Sequence, residues 1–172
     1  MRNTKINHMN LENPEFDQRS YLKRLESLVY LALVAPLTFF GWVFLDRESS
    51  GALKTSFWDN PDLMFHGAML IGIFYVLSRT LVKWKSTALE SLKKVKAIDV
   101  KLRSLGKAIL WRNVMWAIGA LIAAYGLYVK GDMFYVMFFT VFLVLITANR
   151  PSANYFIKFS QLKGEEKEWM ET

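Results

Sequence analysis

Four long runs of uncharged, mostly apolar residues divide the chain. They occupy residues 27–45, 63–78, 113–129 and 133–149 and contain 19, 16, 17 and 17 residues. A helix rises about 1.5 Å per residue, so about 17–25 residues cross a hydrocarbon layer of about 30 Å. The second and third runs reach this length when Arg79 and Arg112 lie at their ends. A long basic side chain can keep its stem in lipid while its charge reaches the headgroups.

The runs predict an all-α membrane protein whose four transmembrane helices pack as an antiparallel bundle. The predicted spans cover residues 27–45, 63–82, 108–129 and 133–149. Residues 1–26 and 150–172 are then tails, and residues 83–107 connect the second span to the third. A soluble four-helix protein is the alternative, but it needs a polar stripe on each helix, and residues 133–148 have none.

Lysine and arginine are distributed unevenly between the predicted loops. The first tail carries five, residues 83–107 carry eight and the second tail carries four, whereas the remaining two loops carry two and one. Basic residues favour the cytoplasmic side of a membrane, so we expect both tails and the middle connection to be cytoplasmic. We also expect the first span to be a retained anchor, because no small-residue cleavage site follows it.

The middle connection has the spacing of an amphipathic helix. Its apolar residues recur every three or four positions, at Leu89, Leu92, Val95, Ile98, Leu102 and Leu105. This pattern predicts a cytoplasmic helix that ends at Gly106. Contact with lipid, packing against another subunit and a rigid extension of the second span all fit the pattern. A second amphipathic segment follows Pro151, and we expect it to lie in the membrane interface.

Composition narrows the classes of protein further. The 172 residues are 53% hydrophobic, carry a formal net charge of +7 and include no cysteine. The missing cysteine excludes disulfide scaffolds, thiolate nucleophiles, iron–sulfur centres and cysteine zinc sites. The basic surplus is concentrated in residues 83–107, with eight basic residues against two acidic ones. This placement favours anionic lipid headgroups over nucleic acid as the partner.

The third predicted span is rich in small residues. They include Gly119, Ala120, Ala123, Ala124 and Gly126. Small residues four positions apart let helix backbones approach closely in lipid, where no hydrophobic drive brings helices together. The set therefore predicts a helix-packing face, used either within one chain or between copies. Only residues 130–132 separate the last two spans, so these two helices must be neighbours.

The predicted spans contain few groups that could perform chemistry. They contain no Asp or Glu, although proton and cation carriers usually place a carboxylate there. The candidate site residues are Arg79, Arg112 and Asn113, near the cytoplasmic ends. They could bind lipid phosphate, pair with another chain or select an anion at a pore mouth. We interpret His66 as a packing residue, because a haem needs a second imidazole that only another copy could supply, and we expect no cofactor or metal.

Short motifs in the C-terminal half carry a resemblance. They are Leu110-Trp111-Arg112-Asn113, Trp116-Ala117-Ile118-Gly119, Tyr128-Val129-Lys130-Gly131, Arg150-Pro151-Ser152 and Lys163-Gly164-Glu165-Glu166. Together they resemble uncharacterised small four-span inner-membrane proteins of Bacteroidetes. In that group an early arginine in span three, a glycine turn and an Arg-Pro-Thr/Ser step recur. The resemblance covers about residues 104–169 and implies a bacterial inner-membrane location, without an activity.

The sequence thus predicts a non-catalytic integral membrane protein. We expect an accessory or structural subunit of a larger membrane assembly, or a homo-oligomeric bundle. The alternative is an oligomeric channel or small-solute transporter with Arg79 and Arg112 at a basic cytoplasmic mouth. The expected partners are membrane lipids, including anionic headgroups, and other membrane subunits or a second copy of the chain.

Overall fold

The computed structural model describes residues 17–54, 62–83 and 98–151. Within these ranges the chain forms four α-helices and no β-strand. They are α1 (Gln18–Ser49), α2 (Leu63–Ser78), α3 (Ile98–Lys130) and α4 (Phe134–Ala148). A short π-helical segment, Arg79–Lys83, continues α2. The predicted all-α class is confirmed for the described residues.

Three of these helices are long and apolar enough to cross a membrane. The qualifying segments are Arg19–Ser49, Leu63–Leu81 and Val100–Lys130. Helix α4 is equally apolar but has 15 residues, slightly fewer than the about 17 that a crossing usually needs. The described chain therefore has three or four candidate membrane-spanning helices, as a multi-pass membrane protein would. The antiparallel bundle stays a prediction at this point.

Helix α1 begins before the predicted span and ends after it. Asp17 caps its first turn, because one carboxylate oxygen accepts hydrogen bonds from the backbone N–H groups of Arg19 and Ser20. The hydrogen bonds from Ser20 are the main reason that the pKa of Asp17 lies below its usual value. The helix continues through Pro36 without a break.

Helix α3 does not end at Gly106, so that prediction is wrong. The helix runs through this glycine as one element of 33 residues. A Cβ atom at Gly106 would overlap the hydroxyl group of Tyr21, so the glycine lets α1 approach α3 closely. Residues 98–107 of the predicted connection are thus the first turns of α3. Residues 84–97 and the predicted interfacial segment at 152–172 lie outside the described residues.

The small residues of the third span pack inside the chain. The phenyl ring of Phe142 occupies the place of a Cβ atom at Gly119, and the ring of Tyr135 does the same at Gly126. The other members of the set, Ala120, Ala123 and Ala124, are fully buried. The sequence left open whether this face packs within one chain or between copies, and the contacts described here are within one chain. Helix α3 contacts the other three helices and is the centre of the core.

The loops at one end of the helices, here called the hairpin end, are tied together. The backbone N–H of Lys54 donates to the carbonyl of Gly131 at 2.8 Å, and the N–H of Met133 donates to the carbonyl of Lys54 at 3.0 Å. Gly131 has a φ of 69°, and a Cβ atom there would overlap the carbonyl oxygen of Ala52. Lys130 also pairs with Asp62, and this hydrogen bond holds the pKa of the Asp62 carboxyl below its usual value.

The glycine contacts in α3 predict a difference between two alanine substitutions. Gly119→Ala should lower the free energy of unfolding by about 1–3 kcal/mol, because the new methyl group overlaps the Phe142 ring. Gly67→Ala is the matched control in α2, since a Cβ atom there meets nothing within 4 Å. The measurement is thermal unfolding of the detergent-solubilised protein. Equal stability of the two variants would contradict this packing.

Candidate functional site

Buried polar side chains form two clusters at different positions along the helices. The arginine cluster comprises Thr80, Arg112, Asn113 and Trp116. The histidine cluster comprises His66, Asp132 and Tyr135. All seven are buried, and buried polar groups among apolar helices are uncommon, so both clusters are candidate sites.

The arginine cluster connects α3 to the end of α2. Arg112 is only 3% exposed, and its guanidinium carbon lies 4.7 Å from the centroid of the Trp116 ring, which is a cation–π contact. The indole N–H of Trp116 donates a hydrogen bond to Oγ1 of Thr80 at 2.8 Å. Thr80 lies in the π-helical segment, and such segments are frequent at functional sites.

Asn113 follows Arg112 in the chain, and its side chain is also buried. Its side-chain N–H donates to the carbonyl oxygen of Ile109 at 2.9 Å. Its Oδ1 atom is buried and accepts no hydrogen bond from the part of the chain that the structure describes. A buried acceptor without a donor costs about 1–3 kcal/mol, so this position suits a small polar molecule such as water.

The three candidate site residues do not share one environment. Arg112 and Asn113 are buried between helices, whereas Arg79 is exposed. The Arg112 side chain packs against Trp116 and is almost fully enclosed. It therefore does not have the exposed position that contact with lipid headgroups requires. The structure buries two of the three candidates and leaves the third on the surface.

The histidine cluster joins α2, α4 and the turn before α4. Nδ1 of His66 lies 2.7 Å from the Tyr135 hydroxyl oxygen, and Nε2 lies 3.3 Å from Oδ2 of Asp132. Each of the three residues is at most 1% exposed. The phenol can donate a hydrogen bond to Nδ1, and the carboxylate lies close enough to Nε2 for a charge contact. A carboxylate, an imidazole and a phenol are therefore neighbours in one buried cluster.

The sequence pointed to His66 but missed its two partners. It placed Asp132 in the short connection between the last two spans, and the structure buries this carboxylate beside the imidazole. One signal was present, because His66 and Asp132 both fall at the same predicted end of neighbouring spans. Within the described ranges, no group of three or more His, Cys, Asp or Glu side chains could hold a metal ion.

The hydrogen bond between His66 and Tyr135 predicts a measurable coupling. Tyr135→Phe should lower the free energy of unfolding by about 1 kcal/mol, because the imidazole loses a buried partner. Combining it with His66→Ala should cost at least about 0.5 kcal/mol less than the sum of the single effects. The free energies of unfolding of the two single variants and of the double variant, measured in mixed micelles, give this coupling energy. Tyr125→Phe, at an exposed tyrosine, is the control, and additive effects would refute the coupling.

The comparisons with other proteins are without a match. No known protein family, curated protein or solved structure matches this chain. The resemblance to four-span proteins of Bacteroidetes therefore stays a prediction, and any functional conclusion depends on the geometry of the chain itself.

Proposed function

We propose that this chain is a non-catalytic, multi-pass component of a bacterial inner membrane and serves as an accessory or structural subunit of a larger membrane assembly. In this proposal its four helices form an antiparallel transmembrane bundle with both tails in the cytoplasm. Its partners are membrane lipids and other membrane subunits or a second copy.

Helix contacts support the alternating directions of the bundle. Along α3, Gly119 meets Phe142 and the later Gly126 meets the earlier Tyr135, as expected for an antiparallel pair. The pair Trp116 and Thr80 relates α3 to the end of α2. The concentration of basic residues in the tails and the middle connection supports their cytoplasmic side.

The main support for this proposal is an apolar stripe on α3 whose side chains are partly exposed. Its members recur at steps of three and four and are Trp111, Val114, Ile118, Leu121, Tyr125 and Tyr128. Between 37% and 52% of each is exposed. This alternating three-and-four spacing is the one used at the seam between two packed helices. Tyr128 also contacts Trp42 and Arg47 of α1. The stripe from Trp111 to Tyr125 is therefore the surface that α3 offers to a helix outside the chain, as an assembly component requires.

The absence of cysteine permits a clean test of this surface. Ile118→Cys on the stripe and Val141→Cys on α4 introduce the only thiol of each variant, at positions that are 42% and 45% exposed. The contact between Gly119 and Phe142 indicates that the two positions lie at similar depth. We expect a photoactivatable maleimide at 118 to form a discrete cross-link in native membranes to one protein subunit or to a second copy.

The same probe at position 141 should give lipid adducts only. Mass spectrometry of the cross-linked products identifies what each position contacts. Lipid adducts alone at both positions would contradict an assembly role for the stripe, because they would show that hydrocarbon covers it.

The arginine cluster favours a second candidate function, an oligomeric channel or small-solute transporter. The buried guanidinium of Arg112 carries a positive charge that could bind an anion where α3 meets the end of α2. For this function, proteoliposomes should take up chloride or phosphate, and Arg112→Ala should reduce uptake by about tenfold or more because the charged donor is lost. Arg150→Ala, at an exposed arginine outside the predicted pore mouth, is the matched control. Vesicles without any flux would remove this candidate.

A further inference from the structure

A groove opens between the first turns of α1 and α3. Its volume is about 710 Å³, within the range of about 300–1,000 Å³ in which small molecules are bound. Two sets of side chains line it. The basic set is Arg24, Arg103 and Lys107, and the apolar set is Leu25, Leu28 and Leu110.

Two of the three basic side chains in this groove have no partner in the described chain. Among the described residues of its lining, the one carboxylate is that of Asp17, which caps α1. Neither Arg24 nor Lys107 has an ion pair or a hydrogen bond with any residue in the described ranges. The groove therefore presents positive charge that an anionic ligand can neutralise.

The basic set precedes the predicted span boundaries, and Leu28 and Leu110 of the apolar set follow them. Arg24 precedes the start of the first span at residue 27, and Leu28 follows it one helical turn later. On α3, Lys107 precedes the start of the third span at residue 108, and Leu110 follows it. In the proposed membrane placement the groove thus runs from the headgroup layer into the hydrocarbon.

A close helix contact fixes the shape of the groove. The hydroxyl group of Tyr21 donates a hydrogen bond to the carbonyl oxygen of Arg103 at 3.3 Å. The missing side chain of Gly106 leaves room for this tyrosine against α3. Because Arg103 and Lys107 are four residues apart, both lie on one face of the helix that this contact orients.

We propose that the groove binds one anionic phospholipid. The headgroup phosphate lies among Arg24, Arg103 and Lys107, and an acyl chain lies along Leu28 and Leu110. Basic pockets between transmembrane helices on the cytoplasmic side are suited to anionic headgroups, and the apolar wall favours a lipid over free phosphate. The inference deepens the proposed function and rests on its membrane placement.

Native mass spectrometry of protein released from nanodiscs tests the site. The nanodiscs contain phosphatidylcholine and phosphatidylglycerol in stated proportions, and the measured quantity is retained phosphatidylglycerol per chain. We expect one retained lipid for the natural chain. The double variant Arg24→Gln with Lys107→Gln should weaken retention by about tenfold, because two charges at the headgroup are lost.

The matched control is Lys54→Gln with Arg150→Gln. It removes the same charge, and both of these residues are exposed and lie outside the groove lining. Retention should stay within about twofold, because screening by salt limits the effect of distant surface charges. Equal retention by the two double variants would overturn the groove as the site. Displacement of the lipid by inorganic phosphate would show that the acyl chain contributes nothing and would also overturn it.

Two further results distinguish a failure of this inference from a failure of the proposed function. Failure of the natural chain to enter nanodiscs would refute the membrane placement itself. A zero-length carbodiimide cross-link from Lys107 to a glutamate at 165–168 would assign the groove to the chain's own acidic segment, and would overturn the lipid proposal while leaving the membrane placement intact.

Discussion

Close packing of α3 against α4 is the constraint on which the rest of the structure depends. In lipid, apolar side chains gain little by leaving their surroundings, so helices associate through close contact. Gly119 and Gly126 provide that contact by admitting the rings of Phe142 and Tyr135. The tight turn at Gly131 is compatible with this close packing, because it joins α3 to α4 through very few residues.

Polar pairs then hold α2 in place, because its apolar contacts with α3 are less close than those between α3 and α4. A Cβ atom at Gly67 would meet nothing within 4 Å, so the glycine there makes no close helix contact. At one end of α2, His66 bonds with Tyr135, and beyond the other end Thr80 accepts from Trp116. Hydrocarbon cannot satisfy any of these groups, so each side chain stays with its protein partner. The two clusters are therefore structural ties as well as candidate sites.

The sequence predicts the helices well and the sites less well, for a physical reason. Hydropathy and residue size are local properties, and they indicate both the apolar helices and the small-residue face of α3. Gly106 looks like a helix end because glycine commonly follows helices, but Tyr21, 85 positions away in the chain, decides its role. Likewise, burial of Asp132 depends on Lys54 and His66 from other elements. Such contacts leave no pattern in the local sequence.

Residue size divides the surface of α3 between two tasks. Small residues face α4, where they permit close approach, while the exposed stripe carries large side chains such as Trp111 and Tyr125. In water this arrangement would be unfavourable, because large apolar groups would be hydrated. In a membrane it has no such penalty, and the large side chains provide contact area for another helix. Leu110 in the groove and Trp111 on the stripe are neighbours, so a lipid bound to the groove lies beside the surface offered to a partner.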